Sequence, residues 1–247
     1  MMVAAKRKKG YYMKNILERI KNYQPKPLGQ KQSFAVLLPL VWDEKSQGWQ
    51  ILYQIRSRHI SQPGEVSFPG GRLEPGESFQ EAAIRETSEE LNIPSSQIEL
   101  MGEIDYFVHH GRTIRCFVGK ILGDWQSIQP SPSEVERLFT LPLDTLLMTK
   151  PKTYNLTATP KPAANFPFER IPNGSNYNFG KDKRQVLFYD LGGENLWGMT
   201  AQFTARFIEI LKADKDWQGC KAIIDGWKPY SNDFLPPCPS YLTWQDL

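Results

Sequence analysis

Long apolar runs and cysteine are what this chain has least of. No stretch approaches the roughly 18–20 consecutive apolar residues needed to span a bilayer, so a membrane helix is not expected. The opening residues, Met1 to Lys9, bear a positive cluster with no apolar segment behind it, which is not the layout of a secretory leader. Cys116, Cys220 and Cys238 are odd in number and far apart. They offer no zinc-type spacing and suit a reducing compartment, taken here as the cytoplasm. No internal repeat is visible, and 40% hydrophobic residues argue against disorder throughout. At 247 residues the expectation is one domain of about 150–200 residues with embellishments.

A strong net charge is missing too, but only from the total. The +3 balance arises from 30 Lys and Arg against 27 Asp and Glu, and these are distributed in blocks. Residues 1–31 hold nine basic side chains and one acid, Glu18. Residues 150–184 hold seven basic and two acidic side chains, and the remainder 14 basic and 24 acidic. An acidic body therefore carries two basic appendages. A basic tail either reaches nucleic acid or acts as a solubilising extension. The second is the expectation here, which leaves nucleic acid as a secondary candidate partner.

Residues 1–30 are expected to form the basic tail and a short helix with Asn15 as its N-cap. Phe34 to Trp42 and Trp49 to Ile55 read as strands, and Gln97 to Phe107 with Thr113 to Leu122 as a strand pair joined through His109 and His110. Solvent exposure is expected for both histidines. Ser133 to Leu138 reads as a turn of helix running into a strand, followed by helix at Leu143 to Leu147. Residues 150–183, rich in Pro and Gly, show no periodicity and are expected to be a long basic loop within a domain spanning 31–212. Gln185 to Tyr189 reads as a strand and Thr200 to Leu211 as an amphipathic helix, with Trp197 expected in the core. Residues 213–247, aromatic and Pro-rich, are expected to pack on this domain.

The segment 79–91 carries the chemistry. Ser78 followed by Glu81 is a capping box, and Pro94 lies beyond the other end. At about 100° per residue, Glu86, Glu89 and Glu90 share one arc with Ala82, Ala83 and Phe79, while Ile84, Thr87 and Leu91 form a separate packing face. Like charges at such spacing repel one another. A helix that stacks them beneath Pro69-Gly70-Gly71 suits hard cations with oxygen ligands. Glu81, Arg85 and Glu89 follow at i,i+4 spacing, so Arg85 is expected to bridge both acids, and Glu77 adds a carboxylate from the preceding loop.

The full spacing is Gly71, five residues, Glu77, seven residues, then Arg85-Glu86-Thr87-Ser88-Glu89-Glu90-Leu91-Asn92-Ile93. It resembles the signature of the Nudix hydrolases, Gly-x5-Glu-x7-Arg-Glu-U-x-Glu-Glu-x-Gly-U, where U is a bulky apolar residue. Two positions depart from it: Thr87 stands at an apolar position and Asn92 replaces the closing Gly. Asn tolerates the left-handed conformation and can still cap the helix. The resemblance implies an α/β fold, an α/β/α sandwich around a mixed β-sheet with a loop–helix–loop catalytic motif. It also implies Mg²⁺- or Mn²⁺-dependent hydrolysis of a nucleoside diphosphate linked to another group. Carried over by position, Glu86 and Glu90 are metal ligands, Glu89 a further ligand or orienting acid, and the Gly71 carbonyl a further candidate ligand beside Gly70. Arg85 is the clamp and Glu77 an acid behind it.

Leu52 to Gly71 looks like the element that precedes this signature in coenzyme A pyrophosphatases, and Glu134 to Leu143 and Leu196 to Ala201 point the same way. Three features depart from that subfamily. Its second Arg is missing, Arg56 to Gly64 is one residue short, and seven residues precede Arg85 where many of those enzymes carry eight. The expected reaction is cleavage of coenzyme A or its derivatives to 4'-phosphopantetheine and 3',5'-ADP. ADP-ribose, a dinucleotide or an RNA cap are the alternative substrates, and a binding or regulatory module is the alternative class. By the same resemblance Glu134 is a ligand or general base, against an ordinary acid in the first turn of a helix. Arg56 is a contact to substrate phosphate, against a surface ion pair. A homodimer is left open.

Overall fold

The computed structural model describes residues 17–213, apart from 26, 110 and 192. Its centre is β1 (Gln32–Asp43), whose side chains alternate between two buried layers. Ala35, Leu37 and Val41 face one layer, and Val36, Leu38 and Leu40 the other. A strand covered on both faces reads as one apolar run, which is why Phe34 to Trp42 shows no polar alternation. Pro39, with no N–H to donate, sits where the ladder on one side of β1 changes partner. Before it, residues 34–36 pair with β4 (Gly70–Arg72), and after it residues 40–43 pair with β2 (Gly48–Arg56).

On its other side β1 runs parallel to β6 (Arg112–Ile121), which pairs antiparallel with β5 (Ile98–His109). β3 (Val66–Ser67) and β7 (Val135–Pro142) each pair antiparallel with β2, completing a seven-stranded mixed sheet. Helix α1 (Phe79–Leu91) covers one face through Ala82, Ala83 and Leu91. The other face is covered by α2 (Leu143–Met148) and α3 (Gly198–Lys212), which pack Leu146, Phe203 and Phe207 against Leu38, Tyr53 and Cys116. This is the expected α/β/α sandwich.

The clearest correction lies in 150–183. Its first part is strand β8 (Lys152–Ala158), which pairs residue for residue with β9 (Asp182–Tyr189); β10 (Leu196–Trp197) completes a second, three-stranded sheet. Only 159–181 is loop, and it is gathered by ring contacts among Phe166, Phe168, Tyr177 and Phe179 at 4.9–5.5 Å. Trp197, expected in the core, is instead 38% exposed and stacks on Phe188. Residues 17–21 are helical, while the expected cap Asn15 and the 214–247 extension lie outside the described residues. His109 is exposed at the end of β5, and His110 lies outside the described residues.

Candidate functional site

Helix α1 begins as its sequence requires. The Ser78 side chain accepts from the Glu81 N–H at 3.2 Å, and the Glu81 carboxylate accepts from the Ser78 N–H at 2.8 Å. Both departures from the signature are absorbed locally. Thr87 is buried at its apolar position because its hydroxyl donates to the Ala83 carbonyl one turn back, at 2.7 Å. Asn92 adopts the left-handed conformation, φ 53° and ψ 46°, and its N–H closes on the Ser88 carbonyl. Ser88 adds a hydroxyl bond to the Ile93 carbonyl at 2.6 Å.

Capping takes Glu81 out of reach of Arg85, which corrects the expected i,i+4 bridge on that side. Arg85 instead forks onto Glu77, with Nε donating at 2.8 Å and Nη2 at 3.1 Å. It also reaches Glu86 at 3.0 Å, Glu89 at 3.1 Å and the Arg72 carbonyl at 3.1 Å. The guanidinium thus ties the loop after β4 to the helix, and its hydrogen bonds, with that from the Glu74 N–H, hold the Glu77 carboxyl below its ordinary range. Glu89 points outward, its side chain 58% exposed.

Glu86 and Glu90 turn inward. Glu86 lies over Gly71 so closely that a Cβ there would run into its carboxylate. Glu90 is 4% exposed; its Oε2 accepts from Gln54 Nε2 at 2.5 Å and from the Gly70 N–H at 3.4 Å. Burial pushes the Glu90 carboxyl up to about 7, and the charges of Glu134 and Glu86 act in the same direction. Glu86 is raised too, first by burial, with Arg85 opposing and Glu89 and Glu134 adding to it. Glu134 is not in a helix but in the turn before β7. The Ser131 N–H donates to the Glu90 carbonyl at 2.8 Å, and the Ser57 N–H to the Glu134 carbonyl at 2.9 Å. These two bonds carry Glu134 to the end of α1.

Arg56 is held within its own loop. Its Nε donates to the Ser61 carbonyl at 2.8 Å, and its own carbonyl accepts from the Gly64 N–H at 2.9 Å, so it ties the 57–64 loop together. Gln54 is the site residue that the sequence reading missed. A cavity of about 340 Å³ lined by Asn92, Pro94, Leu122 and Asp124 includes none of the signature acids.

Among the described residues no three His, Cys, Asp or Glu side chains already converge as a ligand set. The donors nonetheless fit a hard cation. All are oxygens, and two carboxyls, Glu86 and Glu90, are held against ionisation by burial and by neighbouring negative charge, which a divalent ion would offset. Gly71 leaves open the space in which Glu86 sits.

A description of the NUDIX domain matches residues 31–159, a little over half of the chain. The chain belongs to the Nudix family. It is a hydrolase of phosphorus-containing acid anhydrides, a class acting on small nucleotide-derived substrates and generally dependent on divalent cations. It is similar to Nudix hydrolase 3 of Caenorhabditis elegans, 27% identical over 74% of each chain. The mitochondrial coenzyme A diphosphatase NUDT8 of Homo sapiens is 27% identical over 72% of this chain and 69% of that protein. The peroxisomal coenzyme A diphosphatase NUDT7 of Mus musculus is 32% identical over 46% of this chain and 48% of that one. Among the described residues of this Nudix hydrolase no helix is long and apolar enough to cross a membrane.

Proposed function

We propose that this Nudix hydrolase cleaves the diphosphate of coenzyme A or its derivatives, giving 4'-phosphopantetheine and 3',5'-ADP, with Mg²⁺ or Mn²⁺. The observation that carries the substrate is the segment from Leu52 to Gly71, similar to coenzyme A pyrophosphatases and built around the carboxylates; two relatives bear that activity in their names. Glu86 and Glu90, with the Gly71 carbonyl, would hold the cation, and Glu89 would join or orient them. A bound cation supplies charge neutralisation at the diphosphate and a more acidic water. Glu134, beside both inner acids, would take the proton of the attacking water as its oxygen bonds phosphorus and the anhydride oxygen departs. Arg85 and Glu77 hold the helix to the loop, and Arg56 shapes the loop that precedes Gly70.

A substrate panel with Mg²⁺ or Mn²⁺ tests this reading. Turnover of coenzyme A above ADP-ribose, diadenosine polyphosphates and capped RNA is the expected result, and ADP-ribose turnover without coenzyme A turnover would overturn it. The catalytic unit is taken as residues 31–212, so a chain cut to those residues retains metal-dependent turnover. A reducing, cytoplasmic location belongs to the same proposal. Partition of a tagged chain with mitochondria or peroxisomes, the places in two relatives' names, would refute that part.

A further inference from the structure

Gln54 lies on β2, 1% exposed, with its amide directed at the acidic end of α1. Its Nε2 is engaged, donating to Glu90 at 2.5 Å and reaching Ser67 Oγ at 3.4 Å. Its Oε1 is buried and has no hydrogen-bond partner. An orphaned buried acceptor is costly, and the usual remedy for an amide is to exchange its O and N. With Glu90 ionised, as a bound cation would require, that exchange would put the carbonyl oxygen against the carboxylate and forfeit the 2.5 Å bond. The orientation is therefore dictated by Glu90, and the carbonyl is left for a partner that the neighbouring protein does not supply.

An amide carbonyl is a neutral, hard oxygen donor of the kind that completes Mg²⁺, Mn²⁺ and Ca²⁺ shells beside carboxylates. We infer that Gln54 Oε1 belongs to the oxygen shell of the divalent cation held at Glu86 and Glu90, either bound to the ion or accepting from one of its waters. This inference rests on the proposed cation site and adds a residue from outside the signature. A neutral ligand has a chemical advantage at this position. Glu86, Glu90 and Glu134 already crowd negative charge together in a buried setting, and a further carboxylate from β2 would add to their mutual repulsion.

The test is Mn²⁺ affinity, read from the free-ion electron paramagnetic resonance signal with no substrate present. Thermal melts in EDTA of the same proteins report folding. Gln54→Met keeps the volume and removes both ends of the amide; Gln54→Glu returns an oxygen but not the donor to Glu90. The expected result is Mn²⁺ binding weakened about 10- to 100-fold in Gln54→Met and recovered at least in part in Gln54→Glu. Wild-type affinity in Gln54→Met would overturn the inference. So would Gln54→Glu binding no better than Gln54→Met, because the amide would then act only by steadying Glu90. Gln54→Leu replaces Gln54→Met in the comparison if the latter fails to fold. A wild-type chain that binds no Mn²⁺ would refute the cation site itself, an outcome distinct from the other two.

Discussion

Gly70 and Gly71 are neighbours, yet a methyl group would do different damage at each. Gly70 has φ 151°, and a Cβ there meets the Ala35 carbonyl and Val36 Cα, which are backbone. At Gly71 the three nearest atoms all belong to the Glu86 carboxylate, the far end of a flexible side chain. Gly70→Ala should cost about 2 kcal/mol or more of stability. Gly71→Ala should shift the melting temperature by less than about 3 °C while lowering kcat at least tenfold, because Glu86 must move. Full turnover in Gly71→Ala would show that the seat of Glu86 is dispensable. Glu90 makes a second prediction, for the protein in EDTA. Its carboxyl titrates near 7 when folded against an ordinary 4.5, so the folded state binds more protons between those values and loses stability as pH rises through them. The loss totals about 3 kcal/mol and is level above the folded value. Glu90→Gln should flatten that profile in denaturant titrations at about pH 5 and about pH 8, and should lack turnover with magnesium present. An unaltered slope would assign the pH dependence elsewhere. Glu86 and Glu90 were legible in sequence because helix geometry is local. Gln54 was not, because it is 36 residues from Glu90 and carries no charge to draw notice.

Helix α1 shows why spacing alone misassigned one ion pair. Two partners competed for Glu81: Arg85 one turn on, and the unpaired N–H groups of the helix start. The cap won, and Arg85 was left to Glu77, eight residues back across a turn that the i,i+4 rule does not see. Ser78→Ala should therefore cost about 1 kcal/mol through lost capping, with kcat little changed, since Glu77 and not Glu81 anchors Arg85. At the other end, Asn92 occupies a left-handed position. Asn92→Gly should be neutral or stabilising and Asn92→Ala should cost about 1 kcal/mol; the reverse order in thermal melts would mean that the Asn side chain contributes a bond of its own. β8 was the longest element missed. Its seven residues alternate only weakly, and all are exposed, so burial left no imprint on the sequence. What makes it a strand is pairing with β9, from Lys152 with Phe188 to Ala158 with Asp182, across an intervening loop of Pro and Gly.

Charge is divided so that the acidic body holds the carboxylates while residues 150–184, the second sheet's first strand and loop, are net basic, with seven Lys and Arg against two acids. A polyanionic substrate approaching Glu86, Glu90 and Glu134 meets repulsion until a cation is bound, and exposed cations elsewhere on the surface offset part of it at long range. Charge counting would enlist every lysine of residues 150–184. The structure discriminates: Lys152 is paired with Asp190, just beyond β9, at 2.9 Å, and Arg184 with Asp182 at 2.9 Å, so both already answer neighbouring acids. Lys161, Lys181 and Lys183 are exposed, and the test of long-range attraction is made on these three. Replacing these three by Gln should raise KM for coenzyme A by several-fold and leave kcat unchanged, and it should flatten the fall of kcat/KM with added salt, since exposed charges act within a Debye length of about 8–10 Å. Replacing Lys152 alone should do neither and should instead loosen the hairpin. If the triple variant retains the salt dependence of the parent, the basic sheet takes no part in drawing substrate to the carboxylates, and its charge serves some other contact of the molecule.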